Sequence, residues 1–272
     1  MNCELSIHRT HLVETESTNL YAWSAISNAH ATLITTDYQT AGRGQRGNTW
    51  ESEAEKNLLF TLSLRTEDIA ANQQFVLCEL ISVALCDVLG EYTENIRIKW
   101  PNDIYYKDKK LCGILIEHDL EGMHLSRSLI GVGINVNQSL FVSDAPNPIS
   151  LRQILGHEVD REILLGEVVN HFMELYTLFT SSMLSRATLH KHYTTLLYLR
   201  DTPAIYRDAA GPFTAILRDV APDGHLLLEN QQGDLHSYLF KEVAFMIYVP
   251  KRPHPSYFHP IGARFLALDD VF

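Results

Sequence analysis

The residues of this chain best suited to anion chemistry form the glycine-rich segment Gly42-Arg43-Gly44-Gln45-Arg46-Gly47. Glycines let backbone N–H groups approach a phosphate closely, and arginine guanidinium groups neutralise its charge. The spacing also fits the GxGxxG dinucleotide-binding fingerprint, but that motif should open a helix, and Asn48-Thr49-Trp50 follows here without a helical pattern. The segment therefore predicts a phosphate-binding loop, with a plain structural turn as the alternative.

Two further strings place charged residues or glycines in or beside predicted strands. Lys99-Trp100-Pro101-Asn102-Asp103 closes one strand and Lys110-Leu111-Cys112-Gly113 opens the next. A lysine beside a glycine, with Asp and Asn nearby, suits a small anion, although a surface hairpin with solvated lysines explains this string better when it is taken alone. In Ile130-Gly131-Val132-Gly133-Ile134, the two glycines weaken a strand unless something approaches its backbone closely. A packing feature or a bulge explains this last string equally well.

The elements that must position these strings are helices and strands in mixed order. We expect a helix over 17–28, strands over 31–36 and 58–64, and a helix over 72–89 that Gly90 ends. A strand over 96–100 follows, and 111–118 with 125–136 form a hairpin that turns at Glu121-Gly122. Further helices are expected over about 161–183 and then to about Leu199.

After Leu199 the pattern changes to short strands near 203–206, 213–219, 225–229 and 236–248, separated by turn signals. This pattern predicts a compact β-barrel-like module of about fifty residues. The tail that begins at Pro250 is rich in proline and is expected to be extended, with only local structure. Mixed helices, strands and hairpins favour an α+β domain over a doubly wound one.

The bulk composition limits the classes of partner and location. A chain of 272 residues suits one large and one small domain, and 46% hydrophobic with 20% charged residues is ordinary for a folded protein. The formal charge of −11 argues against a protein that coats nucleic acid. The sequence contains neither a secretory signal nor an apolar run long enough for a membrane helix, so we expect a cytoplasmic protein. Four cysteines have no zinc-type spacing and predict structural thiols in a reducing compartment: Cys3, Cys78, Cys86 and Cys112.

Five groups of residues, taken together and in this order, resemble the catalytic domain of the biotin protein ligases, the family that includes bacterial biotin ligase/repressor proteins. They are Ser17-Thr18-Asn19, Gln39-Thr40-Ala41-Gly42-Arg43-Gly44 with Trp50, Lys99-Trp100-Pro101-Asn102-Asp103, Lys110-Leu111-Cys112-Gly113-Ile114-Leu115-Ile116-Glu117 and Gly131-Val132-Gly133-Ile134-Asn135. The resemblance is dense over about 12–140 and thinner to about 195. The β-rich end resembles the family's small SH3-like C-terminal domain.

The resemblance implies an α+β fold with a central mixed or antiparallel sheet and flanking helices, similar to the class II synthetases, followed by the SH3-like β-barrel. It implies a catalytic ligase domain over 1–198 and the SH3-like domain over 199–250. The remaining tail, 251–272, extends past the family's usual end and has no predicted role.

The same resemblance implies roles for individual residues. Biotin would be bound through hydrogen bonds to its ureido group, close packing at glycines, a Trp50 wall and contacts on its carboxylate side. The implied biotin-binding residues are Ser17, Thr18, Asn19, Gln39, Arg43, Gly44, Gln45, Trp50, Lys110, Gly113 and Gly131. The implied ATP or adenylate residues are Arg43, Gly44, Gln45, Arg46, Lys99, Asn102 and Asn135, the last holding the nucleotide or its metal. The segment Asn147-Pro148-Ile149-Ser150-Leu151 matches an adenine-contacting region loosely.

The implied reaction has two steps. The biotin carboxylate displaces pyrophosphate from ATP to give biotinyl-5′-AMP, and a lysine of a biotin carboxyl carrier domain then attacks the activated carbonyl and expels AMP. Neither step needs an enzyme nucleophile, so Lys110 and Arg43 would act by positioning and fixed positive charge, with Mg²⁺ carried by ATP rather than by a metal-binding motif. Asp103 would orient or deprotonate the incoming lysine, or else cap a turn.

Two other functions remain open at this point. A lipoate-type acyl-adenylate ligase should lack the GRGxxG-type loop together with Lys-Trp-Pro-Asn-Asp, and a non-catalytic biotin-sensing module should not retain Lys110, Arg43 and Asp103. Gln45 stands where several relatives have a basic residue, which predicts a weaker grip on the adenylate. The resemblance begins too close to the first residue for a helix-turn-helix domain, so we expect no operator binding. The carrier's identity and homodimerisation stay open.

Overall fold

The computed structural model describes residues 7–25, 29–143, 145–248 and 265–267. The chain divides into two units. The first holds residues 1–143 and 148–198, and the second holds residues 144–147 and 199–272.

The first unit is built on a mixed sheet of seven strands. These are β1 (Ile7–Thr15), β2 (Ala31–Gln39), β3 (Leu58–Arg65), β4 (Ile96–Lys99), β5 (Asp103–Tyr106), β6 (Lys109–Glu121) and β7 (His124–Ile134). Their order across the sheet is β1-β2-β3-β7-β6-β5-β4. β1 runs parallel to β2, and the other neighbouring strands pair antiparallel. The central strands β3, β6 and β7 therefore hold the two glycine strings next to each other.

Among the residues described for this unit, five α-helices accompany the sheet: α1 (Thr18–Ser24), α2 (Phe75–Tyr92), α3 (Leu151–Leu155), α4 (Arg161–Thr180) and α5 (Arg186–Thr195). The short helix α1 packs against β2, β3 and β7, whereas α2 packs against α4, α5, β4 and β5. α2 is apolar on most of its surface and correspondingly buried, as expected of a helix in the core. Its one fully buried carboxylate, Glu79, is paired with Arg186 at 3.0 Å and with His190 at 2.7 Å.

The second unit is a six-stranded antiparallel sheet. Its strands are β8 (Pro203–Asp208), β9 (Gly211–Val220), β10 (Leu226–Glu229), β11 (Leu235–Tyr238), β12 (Ala244–Tyr248) and β13 (Phe265–Ala267), in the order β11-β10-β9-β8-β12-β13. Buried Tyr206, Leu217, Leu228 and Phe245 form part of its core. Within the described residues the two outer strands do not pair with each other, so the sheet is open and the expected barrel is not confirmed.

The expected α+β fold with a central mixed sheet is confirmed, and several element predictions need correction. Gly90 does not end α2, which continues to Tyr92. The cost of about 1 kcal/mol for a helical glycine is offset by the burial of the helix around it. The strands β1 and β5 were not predicted, and the single strand expected over 236–248 is two strands, β11 and β12.

Two other predictions fall partly on residues that are not described. α1 is described to Ser24, and residues 26–28 of the expected helix lie outside the described residues. Of the tail after Pro250, only 265–267 are described, and their backbone pairs antiparallel with β12.

Candidate active site

A flat floor of glycine backbone lies on the central strands. Gly113 of β6 and Gly133 of β7 are directly opposite each other in the sheet register. The indole of Trp50 lies on both, since a Cβ atom on Gly133 would come within 2.5 Å of the ring and one on Gly113 within 2.9 Å. Any side chain at either position would displace the indole, so the paired glycines are what allow Trp50 to cover the sheet. We call Gly113, Gly133 and the overlying Trp50 the glycine floor.

Trp50 reaches the floor because the glycine-rich segment closes on itself. The amide of Trp50 donates to the Gly42 carbonyl at 2.9 Å, and the amide of Gly44 donates to the Asn48 carbonyl at 2.7 Å. A 3₁₀ turn, Gln45–Gly47, forms the tip, and Gly47 has a φ of 92°, which favours glycine. A Cβ on Gly42 would meet the Trp50 carbonyl oxygen at 2.5 Å. Two of the glycines therefore serve the loop's own closure.

The ammonium group of Lys110 lies at one end of the floor. Its Nζ is 2.7 Å from Asp103 Oδ1 and 5.7 Å from the centre of a Trp50 ring, a cation–π distance. A bulge makes this possible: β5 pairs Ile104 with Cys112 and then Tyr105 with Lys110, which skips Leu111. Without the skip, alternation along β6 would put Lys110 on the face of buried Cys112 instead of the face of Gly113.

Asn135 follows β7 and lies against the backbone of Lys110. Its amide donates to the Leu111 carbonyl at 3.0 Å, and its Nδ2 is 3.5 Å from the Lys110 carbonyl oxygen. Its Oδ1 is buried and has no hydrogen-bond partner among the described residues. The backbone amide of Ile149 also donates to the Lys110 carbonyl. The segment around Ile149, which the resemblance matches loosely to an adenine-contacting region, therefore contacts the backbone of Lys110 as well. A buried oxygen acceptor is thus left beside the lysine.

The start of α1 forms a polar cluster beyond the other end of the floor. The amide of Thr18 donates to Gln39 Oε1 at 2.8 Å, and the hydroxyl of fully buried Thr61 lies 2.8 Å from Thr18 Oγ1 and 2.6 Å from Asn19 Oδ1. Ser17 is buried at the N-cap position of α1. These side chains converge because β2 and β3 are neighbours and α1 packs on both.

The carboxamide of Asn19 is hydrogen-bonded to the protein through both its nitrogen and its oxygen. Its Nδ2 donates to the Leu115 carbonyl at 3.3 Å and to Glu117 Oε2 at 2.8 Å, while its Oδ1 accepts from Thr61. It also packs on Gly131, where a Cβ would lie 2.9 Å from the Asn19 Cγ. In this arrangement Asn19 ties α1 to the sheet, and the close packing at Gly131 is with Asn19.

Arg43 and Lys110 lie over the same sheet face but in separate ion pairs. The Arg43 Nη2 is 3.1 Å from Glu117 Oε1. Glu117 is four residues along β6 from Gly113, which itself is paired with Asp103. The backbone positions of Asp103 and Glu117 are therefore about 13 Å apart along the strand direction, with the glycine floor at the level of Asp103.

The remaining expected nucleotide-site residues make contacts with the protein. Buried Lys99 is paired with Asp103 in the β4–β5 register, and its Nζ lies 5.6 Å from the centre of the Tyr105 ring. Asn102 donates to the Ile114 carbonyl from the turn before β5. Gly44 and Gln45 lie at the loop tip, and the side chain of Arg46 falls outside the described residues.

Sequence reasoning did not select Thr61, Gly133 or Glu117 as site residues. Gly133 and Glu117 belong to the motifs that carry the family resemblance. Because side chains alternate along a strand, Glu117 lies on the same face of β6 as Gly113, and this signal could have indicated Glu117. Thr61 gave only the ordinary signal of a polar residue in an alternating strand. Its importance comes from its position under α1.

The described thiols do not offer a nucleophile. Burial raises the pKa of Cys78 to about 12, and burial also raises the pKa values of Cys86 and Cys112, with Asp103 adding to the effect at Cys112. Cys78, Cys86 and Cys112 are free and buried, and the fourth predicted structural thiol, Cys3, lies outside the described residues. Across the described part of the chain, no group of three or more His, Cys, Asp or Glu side chains is arranged to hold a metal ion, and no helix is long and apolar enough to cross a bilayer.

Comparison with known proteins identifies relatives for most of the chain. Residues 12–135 match the model of the biotin/lipoate A/B protein ligase family. The biotin–[acetyl-CoA-carboxylase] ligase of Paracoccus denitrificans is 33% identical over 165 residues, which cover 57% of this chain and 67% of that protein. The bifunctional ligase/repressor BirA of Salmonella typhimurium is 29% identical over 233 residues, which cover 84% of this chain and 71% of that protein.

A solved structure gives the same result. The biotin protein ligase from Aquifex aeolicus, in complex with biotin and ATP, is 26% identical and superposes with a TM-score of 0.71 over 87% of this chain and 97% of that one. Sequence and fold agree over the unit that carries the glycine floor, Lys110 and Asp103. This chain therefore belongs to the biotin/lipoate A/B protein ligase family, among its biotin protein ligases.

Proposed function

We propose that this chain is an ATP-dependent biotin protein ligase, which forms biotinyl-5′-AMP and transfers biotin to a lysine of a biotin carboxyl carrier domain. The observation that carries the proposal is the Lys110–Asp103 pair, 2.7 Å apart, at the end of the glycine floor. A half-exposed ammonium group beside a flat apolar surface suits an acid whose ring lies on the floor and whose carboxylate reacts next to the lysine.

In the first step the biotin carboxylate attacks the α-phosphorus of ATP, and negative charge grows on the phosphoryl oxygens. Lys110 supplies fixed positive charge there, and its geometry is set in advance by the bulge in β6 and by Asp103. Arg43 supplies the second cation from the glycine-rich loop. Held by Glu117, Arg43 would contact the phosphoryl group from the side of the floor opposite to Lys110.

ATP would bring Mg²⁺, which would share the negative charge of the phosphate groups. The Asn135 Oδ1 fits this group chemically, because it is a buried oxygen acceptor without a partner among the described residues and lies beside Lys110. Asn135 would hold the nucleotide or its metal there. Lys99 and Asn102 would shape the nucleotide side through the turn that precedes β5.

In the second step the carrier's lysine attacks the activated carbonyl and AMP leaves. Asp103 is the carboxylate at this end of the floor, and its side chain is 15% exposed. It would orient the incoming amine or accept its proton once Lys110 turns toward the adenylate. Ser17, Thr18 and Gln39 would bind the ureido end of biotin in the polar cluster at α1.

Several finer features belong to the same proposal. The ligase domain would span 1–198 and an SH3-like domain would span 199–250, which the short consecutive antiparallel strands β8 to β12 support. The tail over 251–272 remains without a proposed role. A cytoplasmic location and self-association as a homodimer complete the proposal.

The direct test incubates the full chain with biotin, Mg-ATP and a purified biotin carboxyl carrier domain, and detects carrier biotinylation by mass spectrometry. We expect a mass gain of one biotinyl group on one carrier lysine, dependent on ATP. A parallel reaction replaces biotin by lipoate and the carrier by a lipoyl domain. Transfer of lipoate but not biotin would support the lipoate-ligase alternative, and biotin binding without any transfer would support the sensing module.

A further inference from the structure

We propose that Glu117 is a positioning residue, which holds the Arg43 guanidinium over the sheet face and couples it to the start of α1. The proposal rests on the proposed ligase function, because Arg43 is the residue through which Glu117 would act. It concerns the side of the glycine floor opposite to Lys110.

The two carboxylate oxygens of Glu117 have different partners. Oε2 accepts from Asn19 Nδ2 at 2.8 Å, and Oε1 accepts from Arg43 Nη2 at 3.1 Å. Both partners are donors, so the group between them must present an acceptor on each side. A carboxylate does this, whereas a carboxamide would turn an NH₂ group toward one donor. Glutamate is therefore required for its charge and for its two acceptors.

The Asn19 side of this link is rigid. Asn19 is buried, packs against Gly131 and uses its remaining hydrogen bonds on Leu115 and Thr61. It therefore fixes the orientation of the Glu117 carboxylate. Arg43, on the loop side, is 41% exposed in its side chain, and Glu117 is its ion-pair partner among the described residues.

The consequence is a physical connection between the polar cluster at α1 and the glycine-rich loop. A ligand that shifts α1 changes the orientation of Glu117, and so changes where Arg43 is held. In the opposite direction, an anion that draws Arg43 away leaves Glu117 paired with Asn19 alone. The two substrate sites are thereby linked through one side chain, as reciprocal coupling requires.

The substitution that tests this is Glu117→Gln, with Glu121→Gln as a matched control. Glu121 is an exposed carboxylate four residues further along β6. We expect Glu117→Gln to lower kcat/KM for adenylate formation about tenfold, the loss of one charge-assisted hydrogen bond, and Glu121→Gln to leave it unchanged. In an Arg43→Ala background the additional effect of Glu117→Gln should vanish. An undiminished further loss in that background would overturn the positioning role.

A second measurement requires no substrate. Amide hydrogen exchange of residues 41–50, followed by mass spectrometry, should be faster in Glu117→Gln than in the wild type and in Glu121→Gln. In the wild type, exchange in this loop should also become faster with rising ionic strength, since salt weakens a partly exposed ion pair. This measurement on the wild type tests the proposal even if Glu117→Gln folds poorly. Equal exchange under all of these conditions would refute the proposal.

The two readouts separate this inference from the ligase assignment. Wild-type protein that transfers no biotin would refute the assignment, while faster loop exchange in Glu117→Gln would still establish the tether. Normal biotin transfer by wild type, with neither kinetics nor exchange altered in Glu117→Gln, would refute the tether alone.

Discussion

The two ends of the glycine floor satisfy their polar groups differently. At the α1 end, Thr61 and Glu117 both bond to Asn19, and both N–H donors of the Asn19 carboxamide are used within the protein. At the Lys110 end, the Asn135 Oδ1 is buried without a partner in the described residues. Unpaired buried acceptors are costly, and they persist where a ligand can satisfy them. We infer that the Asn19–Thr61–Glu117 network is a scaffold and that the reacting groups meet beside Lys110, and we call these the scaffold end and the chemical end.

The largest effect should come from the chemical end. Lys110→Ala should raise the barrier to adenylate formation by about 3 kcal/mol or more, comparable to the loss of an oxyanion donor. Pyrophosphate release measures this step. Lys109→Ala, which removes the exposed neighbouring lysine, should act like wild type. Near-normal adenylate formation by Lys110→Ala would remove this lysine from the catalytic groups.

The next largest effect should come from a substitution at the scaffold end, and it should lower the free energy of unfolding. Gly131→Ala places a Cβ against the hydrogen-bonded Asn19 carboxamide and should cost about 3 kcal/mol in the free energy of unfolding by urea. Gly90→Ala is the control, because its Cβ would meet nothing within 4 Å in α2, and it should stabilise the protein by about 0.5 kcal/mol. A Gly131→Ala variant as stable as wild type would mean that Asn19 is free to move.

A smaller loss of stability should follow from Thr61→Val. The substitution keeps the side-chain shape but removes the hydroxyl that lies between Thr18 and Asn19, so it should cost about 1.5 kcal/mol. Thr10→Val, on the edge strand β1, should change stability by less than about 0.5 kcal/mol. If Thr61→Val instead left stability intact and weakened biotin binding, Thr61 would belong to the ligand site rather than to the scaffold.

The smallest effect is a pH dependence of stability that comes from His118, which lies on the opposite face of β6 from Glu117. Burial lowers the pKa of His118, whose Nδ1 lies 2.9 Å from Ser128 Oγ. The unfolded chain therefore binds a proton at His118 more readily than the folded chain does. The contribution of neutral His118 to the free energy of unfolding is complete above the ordinary histidine pKa of about 6.5 and decreases as the pH falls below that value. Urea unfolding at pH 7.5 and pH 5.5 should show a smaller decline for His118→Gln than for wild type. Exposed His8→Gln should decline as wild type does, and equal declines in all three would contradict the burial argument.

The order of local strings indicated the family, and with it which residues to examine as a site. In the structure Lys110, Asp103, Trp50 and Gly113 lie together, whereas Arg43, which the resemblance implies as a second catalytic cation, is paired with Glu117 further along β6. The roles predicted for them toward biotin and ATP remain predictions. What local patterns missed is long-range: β1 has little apolar alternation of its own and is a strand because it pairs with β2.

The sequence by itself determined the mixed α+β character, the central hairpin and the family, because periodicity and the order of short strings are local properties. Only the tertiary structure decided which atoms meet. Strand register places Gly113 opposite Gly133 under Trp50, and one skipped residue, Leu111, turns Lys110 onto that face. Such contacts depend on residues far apart in the chain, and a shift of one residue in register reverses every side chain of a strand.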